Sequence, residues 1–428
     1  MIYLCLLLSI VPLLLSLRKN RNLHNPDIYM YGLWSFIVFL NFLRLYGINE
    51  TLDEVYLMVI LGNIGYGVGS VIASNTNVGN IKLVVPHLSN SKNTSWEINY
   101  KFVYMLALGA LLFMLIDFAI AVNALFHGAS FVELRTWIMS TFDDNDSVLY
   151  ARRSYAEQVI RVLVVSPVQF ALTPLAFVDF FFGKKNKSLL IFAIAFLALS
   201  TISGGGARLG IVLFVFSFVI AASIGKKNIV TRLNVIKKNK KIYLLAILGF
   251  VVVIVLTSLR TSSSFFREAY YYFALCLPLL SSWFPIIKNY SHTGVMMSLF
   301  GGLRVPNLIL QKLGLFTSDL YERSYNYIIN ANQFRSVGNK LANSFVSPYY
   351  YFYIDAGYVG CFVGMLLVGL FANVYYKKVK CRYDERDIYI LMMIILGIIY
   401  FFMRFELATT NYFFALLYIP LFFKRKKV

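Results

Sequence analysis

The chain has 428 residues, 59% of them hydrophobic, 17% aromatic and only 14% charged, with a mean hydropathy of +0.68. A soluble domain cannot hide that much apolar surface, so the composition predicts an all-α polytopic membrane protein. Forty Lys and Arg against twenty Asp and Glu give a formal charge of +20, which on a soluble chain would suggest nucleic acid and on this one is first a topology signal. Cys5, Cys276, Cys361 and Cys381 lie far apart and mostly in apolar runs, which excludes a disulfide framework and a zinc cluster.

Crossing about 30 Å of hydrocarbon takes roughly 20 residues of helix at 1.5 Å each. By that measure the sequence predicts eleven crossings, near residues 1 to 17, 28 to 46, 55 to 74, 101 to 126, 158 to 182, 188 to 203, 209 to 224, 242 to 259, 348 to 376, 388 to 403 and 408 to 423. The first run begins at Met1 with no basic stretch before it and ends in Arg18, Lys19 and Arg21, the pattern of a retained helix rather than a cleaved signal. The positive-inside rule then sets residues 18 to 27 in the cytoplasm, the N-terminus outside and the C-terminus inside. Later loops agree. With Lys101, the segments expected inside hold 25 of the 40 basic residues and five acids, whereas those expected outside carry twelve acids, among them Glu50, Asp53, Glu54, Asp143, Asp144 and Asp146. The excess positive charge is therefore mostly membrane orientation, and a nucleic-acid role loses its support.

The expected organisation is four crossings in residues 1–126, a first outer loop at 127–157, crossings five to eight in 158–259, a large helical outer loop at 260–347 and three crossings in 348–428. Within the fourth crossing, Asp117 should face the bundle interior and pair with a donor. The glycines of GNIGYGVG, residues 62 to 69, fall inside a helix, where small residues serve close packing rather than a nucleotide. In the first outer loop, Phe131, Leu134, Trp137 and Ile138 recur at helical spacing and predict a short interfacial helix. In the large outer loop, residues 269 to 287 are apolar enough to span. Pro278, Pro285, the Ser281-Ser282 pair and three consecutive tyrosines instead favour a helix lying in or re-entering the outer interface.

The most informative short element is SGGGARLG, residues 203 to 210, between two legs of about 16 residues or roughly 24 Å each. That hairpin is short for the bilayer, so its turn should be sunk in the outer leaflet, with Gly204, Gly205 and Gly206 allowing a tight reversal. Arg208 is then a guanidinium at headgroup depth, costly unless it meets protein, water or an anion. It either anchors the turn or binds a lipid-linked phosphate. After the eighth crossing, SLRTSSSFFREAYYY places Arg260 and Arg267 seven residues apart, two turns along one helix face. Two fork-shaped donors suit a diphosphate, with Glu268, Tyr270 and Tyr271 nearby; an aromatic and basic interface belt explains the same letters without chemistry.

Farther along the outer loop come Arg304, Arg323 and Arg335, with His292, Asp319 and Glu322 as titratable neighbours. One of the last three could be a general base if it lies within hydrogen-bond reach of a hydroxyl; solvated loop residues are the alternative. Arg135, Arg152 and Arg153 add outward positive charge in the first outer loop. DDND at 143 to 146 has a D-x-D spacing that holds a divalent cation in some transferases, read here as a solvated turn. No H-E-x-x-H, Walker A or G-x-S-x-G pattern occurs, so metalloprotease, ATPase and hydrolase chemistry is not expected, and no metal or cofactor is called for.

Three elements together, SGGGARLG, SLRTSSSFFREAYYY and NSFVSPYYYFYIDAGYVGCFVGMLLVGLF (343 to 371), resemble the Wzy-type oligosaccharide repeat-unit polymerases of O-antigen and capsule synthesis. The likeness covers roughly residues 188 to 380, and the D-x-G of Asp355 to Gly357, with Gly360 and Gly364 after it, is its most typical part. The resemblance implies a metal-independent glycosyltransferase of GT-C-like architecture in the bacterial inner membrane. Such an enzyme takes a growing glycan from undecaprenyl diphosphate and transfers it to the non-reducing end of a lipid-linked repeat unit, with chain length set by a separate membrane protein. Negative charge then gathers on the leaving diphosphate, where preorganised arginines stabilise it best. On this reading Arg208, Arg260 and Arg267 hold the diphosphate, and His292, Asp319 or Glu322 is the base. Arg135, Arg152, Arg153, Tyr270, Tyr271, Arg304, Arg323 and Arg335 meet the glycan, and Gly204, Gly205, Gly206, Asp355 and Gly357 are structural. A ligase that moves finished polymer onto lipid A core shares this layout. A lipid-linked oligosaccharide flippase would be expected to have twelve or more helices and short loops.

Overall fold

The computed structural model describes residues 1–19, 24–76, 95–131, 133–134, 154–184, 186–205, 209–225, 265–314 and 319–426. Among them, five helices are long and apolar enough to cross a membrane: Pro26–Leu43, Asp53–Asn75, Tyr100–Phe126, Ala156–Phe182 and Ser347–Arg382. The pair Phe266–Ala274 and Cys276–Ile287, bent by 41°, makes a sixth if counted as one broken span, and Ile2–Arg18, Lys187–Ser203 and Gly210–Ile224 are apolar but shorter. The chain is thus a mostly helical, membrane-embedded protein, with fewer full-length spans among the described residues than the eleven expected. The crossing expected at 242–259 lies outside the described residues. The last two are cut short: Glu385–Ile399 passes into a 3-10 turn at Tyr400–Phe402, and Thr410–Leu417 is followed by a separate turn of helix, Ile419–Phe422, with Pro420 in its first turn.

The chain forms two compact units, residues 1–94 with 266–413 and residues 95–265 with 414–428. In the first, Asn25 caps helix Pro26–Leu43 by accepting from the Asp27 amide at 3.2 Å, with proline pre-set for the first helical position. Helix Asp53–Asn75 lies backbone to backbone against residues 357–382. A Cβ added to Gly65 would stand 2.2 Å from the Phe362 carbonyl oxygen, one on Gly69 2.1 Å from that of Leu366, and one on Gly369 2.3 Å from that of Tyr66. The glycine run therefore serves close packing, the main source of helix association where lipid is as apolar as the partner helix. Polar ties finish the interface: Asn373 Nδ2 donates to Asp27 at 2.9 Å, Ser70 Oγ to the same carboxylate at 3.2 Å, and Lys377 Nζ to the Ser74 and Thr76 carbonyls at 2.9 and 2.8 Å. The last two contacts satisfy orphan acceptors at a helix C-terminus.

Ser347–Arg382 is not the single crossing expected at 348–376. It breaks at Ala356 (φ −155°, ψ 33°) and Gly357 (φ 62°, ψ −146°). Cys361 Sγ lies 3.9 Å from the Tyr349 carbonyl oxygen, whereas twelve residues of unbroken helix would set the two about 18 Å apart. Phe352 likewise presses on both Gly360 and Gly364. Residues 347–355 are therefore a half-helix folded back along 357–364, and the reversal uses a φ, ψ region open essentially to glycine alone. Tyr349 packs on Gly62 and on Trp34, with ring centroids 5.0 Å apart. Gly62 is nine residues along its helix, so the half-helix starts about 14 Å in from the Asp53 end and climbs back toward it. Irregular backbone at such depth is tolerated because protein buries it, and Ser347, Tyr349 and Tyr350 are all 0% exposed.

The reversal is pinned from outside the helix. The Asp355 carboxylate accepts from Thr293 Oγ1 (2.7 Å), Met297 N (2.9 Å), Ser298 N (3.0 Å) and Ser298 Oγ, while Thr293 N donates to the Ile354 carbonyl at 3.1 Å. Asp355 and Gly357 thus shape the reversal. The bent pair packs near the Leu43 and Asp53 helix ends, Asn41 Nδ2 donating to the Ala274 carbonyl and Leu52 N to Ser281 Oγ. Helices Phe300–Lys312 and Asp319–Ala331 and the antiparallel hairpin Arg335–Val337 with Lys340–Ala342 complete this unit.

In the second unit, Lys187–Ser203 and Leu209–Ile224 are the two short legs expected around the glycine turn. Gly204 ends the first leg and Gly205 takes φ 58°; Gly206 lies outside the described residues. Asp117 pairs with Arg161, whose guanidinium also meets Glu157 at 2.8 Å and lies 5.5 Å from the centre of the Phe113 ring. The acid inside the fourth helix therefore has its donor. Strand Trp96–Ile98 pairs with Phe423–Arg425, placing Glu97 opposite Lys424, and Glu97 holds Lys424 and Lys184 at 3.3 Å each. Partial burial works against its ionisation, but the two ammonium groups outweigh that and hold the carboxyl below its ordinary value.

Candidate functional site

Of the residues expected to bind substrate, Arg208, Arg260, Arg135, Arg152 and Arg153 lie outside the described residues, as do the 143–146 acids and most of the interfacial helix expected in the first outer loop. Those described gather on the first unit, on the segment 266–346 and the helix ends beside it.

Helix Phe265–Ala274 presents Arg267 and Tyr271 one turn apart on one face. Arg267 Nε donates to Tyr271 Oη at 3.2 Å, and its guanidinium carbon lies 5.5 Å from the centre of the Tyr271 ring and 5.7 Å from that of Tyr46. Lys340 from the hairpin stands 5.2 Å from the same Tyr271 ring centre and 2.9 Å from Glu268 Oε1. Tyr271 Oη donates to the Tyr46 carbonyl at 3.1 Å, and Tyr270 Oη accepts from Leu45 N and donates to the Leu40 carbonyl. The two tyrosines therefore anchor the loop after helix Pro26–Leu43 while the ring of Tyr271 collects two cations. The Arg335 guanidinium carbon lies over Trp283, 3.8 Å from the ring centre, with Nη1 donating to the Ser282 carbonyl at 2.8 Å. Such contacts fix a cation's position without neutralising it. Of these cations Lys340 is paired with a carboxylate, that of Glu268.

The proposed bases are not brought together. Asp319 and Glu322 are exposed in the first turn of helix Asp319–Ala331, where carboxylates offset the positive end of the helix dipole. Arg323, also exposed, reaches back to the Asp319 carbonyl. His292 stands at the helix reversal instead, its Nδ1 3.3 Å from the Ile354 carbonyl oxygen and its ring 3.5 Å from where a Cβ on Gly357 would be. Among the described residues no hydrogen bond or ion pair joins His292 to Asp319 or Glu322. Of the three, His292, also exposed, alone adjoins a buried network, that of Asp355 with Thr293, the next residue in the chain.

A second group of polar residues surrounds the reversal, and sequence reasoning missed its Arg404–Glu406 pair. After Ser298, held by Asp355, the chain enters helix Phe300–Lys312, whose Gly301 lies against the Leu407 and Thr409 carbonyls. Arg304, one turn on from Gly301, lies toward the same side of that helix. Burial raises the Tyr321 phenol above its ordinary value while the charge of Arg304 opposes the rise. Across the loop, Arg404 Nε donates to Glu406 Oε1 at 3.1 Å, and Thr409 Oγ1 donates to Glu406 Oε2 at 3.1 Å. Phe405 packs on Phe352 of the half-helix, ring centroids 4.7 Å apart, and the Met403 carbonyl accepts from Val346 N and Ser347 N at the half-helix's start. Burial works against the charge of Arg404, but Glu406 and the neighbouring Tyr351 and Tyr400 outweigh it and keep the guanidinium above its ordinary value. The available signal was an Arg and a Glu two residues apart within the aromatic run FFMRFELATT, hidden because that stretch falls at the junction of two expected crossings.

These two groups offer guanidinium and ammonium donors beside aromatic faces, a histidine at a helix reversal and a partly exposed arginine held on a buried glutamate. That set suits stabilising an anion. The chain matches no protein-family model, no curated protein and no solved structure.

Proposed function

We propose that this protein is a bacterial inner-membrane glycosyltransferase that polymerises undecaprenyl-diphosphate-linked oligosaccharide repeat units into O-antigen or capsular polysaccharide. The observation that supports it best is the cluster at the Asp53 end of the spans, where Arg267 and Lys340 share the Tyr271 ring and Arg335 lies on Trp283. With the N-terminus outside, that end faces the outer headgroups, where the diphosphate of a flipped lipid-linked glycan lies. Cations held there before the reaction need no reorganisation as the leaving diphosphate gathers charge.

In this mechanism Arg267 and Lys340 meet the donor diphosphate; Arg208 and Arg260 remain the diphosphate residues that the resemblance implies. The acceptor sugar's hydroxyl attacks the anomeric carbon, the bond from that carbon to the diphosphate oxygen breaks, and the hydroxyl proton passes to His292, kept at the reversal by the Asp355 network. Exposed Asp319 and Glu322 have no comparable fixed surroundings. Tyr270, Tyr271, Arg304, Arg323 and Arg335 border the path of the glycan.

The test is a purified-protein assay with a synthetic undecaprenyl-diphosphate repeat unit, read as a ladder on a gel. A ladder in the wild type that disappears in Arg267→Ala and in Arg208→Ala, with both variants accumulating normally in membranes, is the expected result. A full ladder in both variants refutes the site, and transfer only to added lipid A core makes the enzyme a ligase.

A further inference from the structure

The Arg404–Glu406 pair is more asymmetric than charge balance requires. Glu406 has a side chain 2% exposed, one carboxylate oxygen held by Arg404 Nε and the other 3.1 Å from the Thr409 hydroxyl that it shares with the Glu406 carbonyl, whereas the Arg404 side chain is 28% exposed. Arginine and carboxylate commonly meet fork to fork through two parallel bonds. Here the contact is through Nε alone, and among the described residues neither terminal guanidinium nitrogen of Arg404 makes a hydrogen bond. The acid is sealed inward and the donor edge of the arginine faces away from it.

The loop that carries this edge is fixed on several sides. Phe405 packs on Phe352, Phe402 lies 4.9 Å from Phe273 of the helix that bears Arg267, and the Met403 carbonyl binds the start of the half-helix. Helix Phe300–Lys312 lies against the same loop, through the Gly301 contact with the Leu407 and Thr409 carbonyls. A fixed arginine with an unused pair of donors, within one aromatic contact of the helix that carries Arg267, is what planar recognition of a phosphoryl group needs.

We propose that Arg404 is a further diphosphate-binding residue, its two terminal nitrogens taking phosphoryl oxygens of a prenyl diphosphate while Nε stays on Glu406. This rests on the transferase reading for its physiological ligand and deepens it by placing the substrate's headgroup against the loop 403–409. Glu406 is a positioning residue that aims the guanidinium.

The test uses full-length protein in detergent, with farnesyl diphosphate as probe and farnesol, inorganic pyrophosphate and phosphatidylglycerol vesicles as separate arms, followed by calorimetric titration. The informative variants are Arg404→Lys, which keeps a counter-ion for Glu406 but loses the fork, and Arg404→Met with Glu406→Gln, which removes both charges together. Farnesyl diphosphate should bind the wild type, and pyrophosphate should compete for the site. Binding should weaken at least tenfold in both variants, while Arg404→Lys keeps the wild-type melting temperature. Unchanged affinity in Arg404→Lys overturns the proposal even if the double variant does not fold. So does absence of wild-type binding, or displacement of the probe by phosphatidylglycerol and not by pyrophosphate. Wild-type protein that binds the probe through Arg404 but builds no glycan ladder leaves this site standing and removes the polymerase reading.

Discussion

Replacing Asp355 should release the loop that carries His292, and the size of the effect follows from its partners. The carboxylate accepts from two backbone amides, the buried one of Met297 and the half-buried one of Ser298, and from the Thr293 and Ser298 hydroxyls. Asp355→Ala orphans both amides, and each orphaned buried donor costs about 1–3 kcal/mol, so the loop should open more easily by about 2–6 kcal/mol. In Asp355→Asn one oxygen still serves Thr293 and Met297 but the amide NH2 faces the Ser298 amide, which leaves one orphan and a cost of about 1–3 kcal/mol. Hydrogen exchange of the full-length protein in detergent measures this directly. The Met297 and Ser298 amides should exchange at least tenfold faster in Asp355→Ala, with Asp355→Asn between it and the wild type, while amides of helix Glu385–Ile399 keep their protection. Unchanged exchange in Asp355→Ala, or equal acceleration throughout the chain, refutes the assignment of Asp355 as the anchor of this loop.

Gly69→Ala would bring a methyl group to 2.1 Å from the Leu366 carbonyl oxygen and 2.7 Å from Leu370 N, so the helices must part and the melting temperature should fall by an amount equivalent to about 1–3 kcal/mol. Gly109→Ala, with nothing within 4 Å, is the control that should melt no lower than the wild type. Tyr271→Phe keeps the ring that Arg267 and Lys340 share but loses the hydroxyl that accepts from Arg267 Nε, so the rate of ladder growth should fall several-fold; Tyr271→Ala, which removes the ring as well, should fall further. Glu97 has a folded-state carboxyl held below its ordinary value, first against its partial burial and then by Lys184 and Lys424. Its contribution is therefore complete above the ordinary carboxylate range and lost as pH falls through the lowered value. At exposed lysines this amounts to less than about 1 kcal/mol, read as an acid-side drop in melting temperature that Glu97→Gln lacks.

The spans were legible wherever one apolar run sufficed to define them, as in the helices Asp53–Asn75 and Tyr100–Phe126 and the two short legs around Gly204. Pro278 and Pro285 gave advance notice of the bent pair. The reversal at Ala356 and Gly357 was not legible as a reversal, because the run from Pro348 to Phe371 stays apolar and aromatic on both sides of it. What turns the chain there is tertiary: Asp355 binds groups 57 to 62 residues earlier in the sequence. Asp117 announced its need for a donor, but nothing local singled out Arg161. Arg267 and Tyr271 could be paired by helical spacing, whereas Tyr46 and Lys340 reach the same ring from distant segments and carry no pattern of their own. Arg404 and Glu406 were overlooked for a related reason: two charges at the edge of an apolar run look like a helix end until their surroundings are known.

The account depends most on which side of the membrane carries the segment 266–346. Cys381 is exposed and expected inside, and Cys5, Cys276 and Cys361 are buried, so the native thiols supply their own control. Intact cells producing Gln333→Cys, an exposed position beyond helix Asp319–Ala331, should be treated with a membrane-impermeant maleimide. Modification at residue 333 with Cys381 protected until the membrane is permeabilised is the predicted result. Labelling of Cys381 while residue 333 stays protected would contradict it and place the arginines on the wrong side for an outward-facing lipid diphosphate.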